Sequence, residues 1–503
     1  MKESREIPSH GVVSVTSARR EAISKVDVAW LRMEQPTNLM MITGVIVLDQ
    51  PIDFDALREV LINRFLSFRR FRHKAVESAR GCWWEEDALF EPGAHIIRAA
   101  LPGDAGKAEL EEFVSRLAST PLDKTKPLWQ FHLVENYAEG PAVICRIHHC
   151  YADGIALVQV MLSLTESDPE KSLGQISPHH WQKQRAAESG IFRRLMAPAR
   201  EGIDVVGHLS YKMLEEVAQV IRDPHLAADY AGTAADVISE LANALLLPDD
   251  PPSRFKGELG VRKNVAWAEP IDLEEVKAVG KALGCTVNDI LIAVMTGALH
   301  RYLVDCGDDP SETTMRATVP VNLRPLEHAR ELGNHFGLVF LELPVAETNP
   351  LARVYRVADF MHELKNSRQA MMSLGLLAAL GMGPAALQKP ALELFSRKAS
   401  TVLTNVPGPQ APLYLAGAGI REMMFWVPQT GSVGMGISIM SYNGRVFSGL
   451  ITDNRLVPDP RSVVVNFRRE FENLLHLTML LGPQEGPVGP EAADLVHQWI
   501  EED

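Results

Sequence analysis

The chain has 503 residues, a length prior of roughly two to four domains, and carries 50 Lys plus Arg against 64 Asp plus Glu for a formal charge of −14. So acidic a protein is excluded from general nucleic-acid binding, although a local basic pocket remains possible. An apolar share of 46% with 23% charged residues excludes a disordered chain, and five scattered cysteines, Cys82, Cys145, Cys150, Cys285 and Cys306, form neither a disulfide framework nor a zinc ribbon. That usage fits a reducing, intracellular compartment.

The first 25 residues mix acidic and basic side chains without an apolar run, so no secretory signal is expected. Residues 41–48 read as a buried strand. Residues 54–70 have helical spacing, with Leu57, Val60, Leu61, Phe65 and Phe68 on one stripe. Residues 129–135 and 142–149, joined by a short connection containing Gly140 and Pro141, read as an antiparallel hairpin. From about 168 to 255 the composition turns to Pro, Ser, Gly and polar helix formers, a helical crossover closed by a Pro-rich linker. Beyond it, 265–267 starts a strand, 273–283 and 286–304 are helices, 315–322 and 337–343 are strands, and 433–440 with 444–452 form another paired set. The uncharged stretch 370–387 approaches the minimum length of a membrane span. Its Ser373, Gly375, Gly381, Gly383 and Pro384 favour an interfacial or tunnel-lining helix instead.

The sharpest local feature is His148-His149-Cys150-Tyr151-Ala152-Asp153-Gly154. Strand alternation puts Val143, Cys145, Ile147 and His149 on one face and Ala142, Ile144, Arg146 and His148 on the other. The two histidines therefore diverge: one can be a base, and the other is structural. The apolar company of His149 favours neutral imidazole, the form a general base needs. Divergence also disfavours a metal pair and a Cys150–His149 nucleophile. Helical spacing resumes after Gly154, so Asp153 also fits a helix N-cap. Thr286 followed by Asp289 matches a capping box, which gives Asp289 a structural reading. Asn288, in the same first turn, lies where helix N–H groups favour negative charge and suits an oxyanion or substrate. Trp129 reads as core or as a shaper of lobe packing. Asn405, before Val-Pro-Gly-Pro, lies in a turn with a possible substrate-loop role. A GxSxG elbow and a P-loop lysine motif are absent from the chain, which sets aside hydrolase and ATP readings.

His148 to Gly154 matches the HHxxxDG signature of the CoA-dependent acyltransferase superfamily. The chain resembles more specifically the bacterial wax ester synthase/acyl-CoA:diacylglycerol acyltransferase family. Pro127-Leu128-Trp129, Thr286-Val287-Asn288-Asp289, Val319 to Asn322, Gly333 to Gly337 and Thr404 to Pro409 resemble its further blocks in order, from about Ser24 to Phe471. Residues 35–41 depart from the family's Pro-Met-His-like stretch.

The resemblance implies a mixed α/β protein of two chloramphenicol-acetyltransferase-like lobes, each a mixed sheet flanked by helices. It divides the chain into an N-terminal lobe (1–175), a helical crossover (176–255) and a C-terminal lobe (256–503), with the site between lobes in a channel open at both ends. It implies His149 as base with His148 packed behind it, and Asp153 holding the turn through an arginine, for which Arg324 is the candidate. Asn288 would assist catalysis, Gly154, Trp129 and Asn405 would bind substrate, and Asp289 would support the site. The implied reaction moves a long-chain acyl group from acyl-CoA, a co-substrate with no further cofactor and no metal, to diacylglycerol or a long-chain alcohol. The protein would be cytoplasmic, touching the inner membrane or lipid inclusions peripherally. The basic residues Arg254, Lys256, Arg262 and Lys263 could meet CoA phosphates or simply form a solvated face. The alternatives are an HHxxxDG enzyme with amine or carrier-protein substrates, and a non-catalytic lipid-droplet or lipid-binding protein.

Overall fold

A computed structural model describes residues 20–78, 81–173, 248–322, 332–334, 336–365, 393, 396–429, 431–482 and 488–493. Most of the crossover, the stretch 370–387 and Arg324 lie outside them. In chain order the first half carries β1 (Arg20–Ala22), α1 (Lys25–Met33), β2 (Met41–Leu48), α2 (Phe54–Asn63), β3 (His73–Ser78), β4 (Gly81–Glu86), β5 (Ile96–Ala99), α3 (Lys107–Ala118), β6 (Trp129–Val134), β7 (Ala142–His148), α4 (Gly154–Leu162) and α5 (Pro169–Leu173). The second half carries β8 (Lys263–Trp267), β9 (Ile271–Asp272), α6 (Leu273–Leu283), α7 (Val287–Asp305), β10 (Met315–Asn322), β11 (Phe336–Leu343), α8 (Pro350–Lys365), β12 (Thr401–Pro407), β13 (Tyr414–Leu415), β14 (Ala418–Trp426), β15 (Met435–Tyr442), β16 (Arg445–Asp453) and α9 (Pro460–Leu480).

The long helix expected over 54–70 stops at Asn63, and two 3₁₀ turns follow, Phe65–Ser67 and Arg69–Arg72. The cause is packing. Phe65 and Phe71 stack in the core with centroids 4.0 Å apart, yet six residues of α-helix would leave them about 120° apart around the axis and about 9 Å along it.

The N-terminal sheet has the order β13-β14-β2-β7-β6-β5, mostly antiparallel, with β5 parallel to β6. The hairpin of β6 and β7 forms as expected. β14 comes from far downstream and pairs with β2 from Trp426↔Thr43 to Ile420↔Leu48. The division at residue 256 is therefore not the spatial one, because Tyr414–Leu415 and Ala418–Trp426 complete the N-terminal sheet. β2 is buried along its whole length, and a strand so apolar needs a neighbour on both edges.

The C-terminal sheet has the order β11-β10-β12-β15-β16-β8, with β10, β12 and β15 parallel and the other neighbours antiparallel. Its two faces serve two cores. Met435, Ile437 and Ile439 of β15 enter the C-terminal core under the helices, whereas Met440 and Tyr442 join the N-terminal core. The edge strand β8 is covered by α3. The N–H groups of Lys263, Val265 and Trp267 donate to Ser119 Oγ, Ser115 Oγ and Glu111 Oε1 at 2.8, 2.8 and 3.4 Å. Four helix residues rise about 6 Å and two strand residues about 6.7 Å, so the two repeats run together. Both lobes are thus mixed sheets flanked by helices. No single described helix is long and apolar enough to cross a membrane.

Candidate active site

β7 runs between β2 and β6 and ends at His148. The His149 N–H then donates to Met40 O at 2.7 Å, and the Tyr151 N–H to His148 O at 3.2 Å, which bends the chain away from the sheet. Asp153 opens α4 as its N-cap, its Oδ1 accepting from the Ala156 N–H at 2.8 Å. The Asp153 N–H donates to Gly333 O at 3.2 Å, so this turn is also a contact between the halves of the chain. Gly154 is the first residue of α4, and a Cβ there would meet only Val427 Cγ1, at an ordinary 3.8 Å.

The two histidines have different surroundings. His148 Nδ1 accepts from the Cys150 N–H at 3.1 Å, and Nε2 lies 3.2 Å from Glu34 Oε2. Glu34 also pairs with Lys124 at 2.8 Å. Burial works against its ionisation, but His148 and Lys124 outweigh that and hold its pKa at about 2. His148 is thereby anchored on an anion, facing away from its neighbour.

The His149 ring stacks on Trp30 at 4.1 Å and 22° and lies 5.6 Å from Phe336. The residue is 3% exposed. Its Nδ1 is fully buried without a partner at hydrogen-bonding geometry. Burial first, then the charge of His148, lowers its pKa to about 3, while Asn334 pulls weakly the other way. The imidazole is therefore neutral across the physiological range. The channel that the family resemblance implies is not defined by the described residues.

Asn334 ties the site together. Its Nδ2 donates to Asp27 Oδ1 at 2.8 Å and to His149 O at 2.9 Å. Asp27 sits in the first turn of α1, where its N–H donates to the Ser24 cap. Burial raises its pKa to about 6 against the hydrogen bonds of Asn334 and Ser24. Cys150 is fully buried, and burial next to Asp27 and Glu34 keeps it a thiol, which leaves no nucleophilic thiolate beside His149.

A second pair lies on the C-terminal lobe. Asn405 Nδ2 on β12 donates to Asn288 Oδ1 in the first turn of α7. Asp289 closes the capping box, its Oδ2 accepting from the Thr286 N–H at 2.8 Å. Trp129 is fully buried, its Nε1–H donating to Phe71 O at 2.7 Å and its ring stacked on His95. The basic residues of 254–263 divide: Arg254 and Arg262 make solvent-facing pairs with Asp308 and Glu112, whereas Lys263 is buried against Asp453. Lys256 donates to Ser396 O at 2.6 Å.

The sequence reading did not single out Trp30, Asp27 or Glu34. Trp30 and Asp27 are one turn apart on α1, an i, i+3 pair that a helical reading of 25–33 would have exposed. Asn334 fell within a quoted block without a role.

Two mixed α/β lobes meet at the HHxxxDG turn, a fold also seen in condensation domains. Solved structures agree. The first condensation domain of the calcium-dependent antibiotic synthetase, in complex with a substrate analogue, superimposes with TM-score 0.55 at 15% identity, covering 92% of this chain and 97% of that one. The wax ester synthase/diacylglycerol acyltransferase of Marinobacter aquaeolei gives TM-score 0.63 at 20% identity, covering 91% and 100%. The wax ester synthase/diacylglycerol acyltransferase catalytic domain matches residues 23–291 and the family's C-terminal domain residues 332–475. This chain therefore belongs to the wax ester synthase/diacylglycerol acyltransferase family and is an acyltransferase enzyme. A Mycobacterium tuberculosis relative provisionally named diacylglycerol O-acyltransferase is 27% identical over 481 residues, 91% of each chain. The O-acyltransferase WSD of Acinetobacter baylyi is 24% identical over 466 residues, covering 89% of this chain and 95% of that one.

Proposed function

We propose that this enzyme transfers a long-chain acyl group from acyl-CoA to an apolar alcohol, either diacylglycerol or a long-chain alcohol, with His149 as general base. The observation that carries the reading is a neutral imidazole, flanked by aromatic rings, on the turn where the two lobes meet.

His149 Nε2 takes the acceptor hydroxyl proton as the oxygen attacks the thioester carbonyl. The tetrahedral oxyanion collapses, the C–S bond breaks, and the leaving thiolate recovers the proton from the imidazolium. No acyl-enzyme forms. An imidazolium so poorly solvated gives its proton up readily, which suits the second half of the step better than the first. Attack and proton removal therefore go together, since a fully formed imidazolium would be costly there. Asn288, whose carbonyl is held by Asn405, is the assigned donor to the developing oxyanion, assisted by the N-terminus of α7. Asp153 and Asp289 hold their turns, and Arg324 remains the candidate partner of Asp153. Gly154, Asn405 and the packing around Trp129 are assigned to shaping the substrate path. Apolar acceptors of this kind support the assignment of a cytoplasmic protein in peripheral contact with a membrane or lipid inclusion.

The test is an acceptor panel. Purified protein with palmitoyl-CoA is given hexadecanol, dipalmitoylglycerol or a long-chain amine, and free thiol is followed. Thiol release with either alcohol and none with the amine is expected. Release with the amine alone would move the enzyme to the amide-forming class, and no thiol release with any of the acceptors would favour a non-transferring lipid binder.

A further inference from the structure

Away from the histidine turn, a solvent-open cavity of about 720 Å³ is lined by Arg20, Glu21, Arg69, Arg70, Arg72, His73, Trp84 and Glu86. That volume lies in the range of about 300–1,000 Å³ typical of small-ligand sites. On a chain of charge −14 its wall is basic, with four arginines against two glutamates. The 3₁₀ turn Arg69–Arg72 makes it so. Three residues per turn put Arg69 and Arg72 on one side, while Phe71 between them is buried in the core.

The four arginines are not equivalent. Arg20 is paired with Glu85 at 2.8 Å, and Arg70 lies 3.6 Å from Glu21. Arg70 also stands over the Trp84 ring, 5.6 Å from its centroid. Among the described residues the guanidinium groups of Arg69 and Arg72 have neither hydrogen bond nor ion pair. Two planar cations with no carboxylate paired to them, three residues apart on one 3₁₀ turn that lines the cavity, are a receptor for an oxyanion of matching shape, and phosphate is the best fit. The cavity is also coupled to the catalytic turn. Trp84 stacks on Tyr151 at 4.8 Å, and the Tyr151 O–H donates to His73 O at 2.7 Å.

We propose that Arg69 and Arg72 in this cavity bind the phosphate groups of coenzyme A. The proposal rests on the acyl-CoA reading given above for the identity of the phosphate, and a phospholipid headgroup offers the same chemistry from another source. The double variant R69Q/R72Q separates them. By calorimetry its affinity for coenzyme A falls about 10- to 100-fold relative to wild type, with an unchanged melting temperature. Its KM for palmitoyl-CoA rises by a similar factor, whereas kcat/KM for S-palmitoyl-pantetheine, which has no phosphate, stays within about twofold. Unchanged affinity for coenzyme A overturns the proposal. So does a variant that loses binding only to phosphatidylglycerol vesicles, because the phosphate would then belong to a lipid. Since coenzyme A binding is read without turnover, an inactive wild type would overturn the acyl-transfer reading alone, and the affinity comparison would still decide this one.

Discussion

At the scale of single residues, three buried titratable groups of the site pull stability in different directions with pH. His149 has its pKa lowered from 6.5 to about 3. Its neutral form is favoured by folding, so its contribution is complete above about 6.5 and is lost as pH falls toward 3. Glu34, lowered from 4.5 to about 2, acts the same way over a lower window, complete above 4.5 and lost as pH falls through 2. Asp27 is opposite. Burial raises it from 3.8 to about 6, so the folded protein binds its proton more tightly than the unfolded chain does, and stability falls as pH rises from about 4 to 6. Replacing Asp27 by Asn keeps an acceptor for Asn334 and removes the buried charge. D27N should gain up to about 3 kcal/mol over wild type at pH 8, and the gain should vanish near pH 4; thermal unfolding at the two pH values checks this, and equal stability at pH 8 would contradict it. E34Q loses the charged partner of both His148 and Lys124. It should unfold about 1–3 kcal/mol more easily and lower kcat through a loosened His148, measured by urea titration beside turnover.

At the scale of elements, the edge of β8 depends on hydrogen bonds from side chains of α3. Ser115 accepts from the Val265 N–H and donates to Glu111 O at 2.6 Å, so its hydroxyl uses both its roles. S115A strands a buried N–H and should cost about 1–3 kcal/mol, read as a lower urea midpoint without a change in slope. Local signals made the elements on either side of this edge readable. The 3.6-residue spacing of 273–283 is helix α6 as bounded from sequence, the apolar run 41–48 is β2, and the Thr286–Asp289 box caps α7. The histidine face argument was legible for the same reason, since alternation along β7 is local. What was not legible depends on partners distant in sequence. Nothing in 414–426 announces pairing with β2, more than 370 residues earlier. Nothing in Trp30 or Asn334 announces that they would meet at His149. The break at Asn63 was hidden because Phe65 and Phe68 fit the helical stripe, and nothing local announced that Phe65 would stack on Phe71.

At the scale of the whole molecule, the lobes are not independent units. β14 completes the N-terminal sheet, α3 covers the edge of the C-terminal one, and Asn334 bridges to α1 and the catalytic turn. A fragment ending at residue 255 keeps HHxxxDG but leaves β2 with an unpaired apolar edge. It should aggregate or unfold non-cooperatively, and a monomeric fragment with a sharp melting transition would show that the lobes stand alone. On the proposed reading, the same bridging means that the transfer site forms only when both halves are folded. His149 is supplied by one, and Asn334 and Phe336 by the other. Enclosure is what keeps the imidazole neutral, the form that the proposed base needs.

That imidazole is best tested by comparing wild type with H149A under one set of conditions, palmitoyl-CoA with hexadecanol or dipalmitoylglycerol at pH 7.5, following coenzyme A thiol release after confirming that both proteins melt cooperatively. General base catalysis contributes about 10²–10⁴-fold, so the folded variant should fall by at least about a hundredfold with each acceptor. A folded H149A that releases thiol at a rate near wild type would contradict the account.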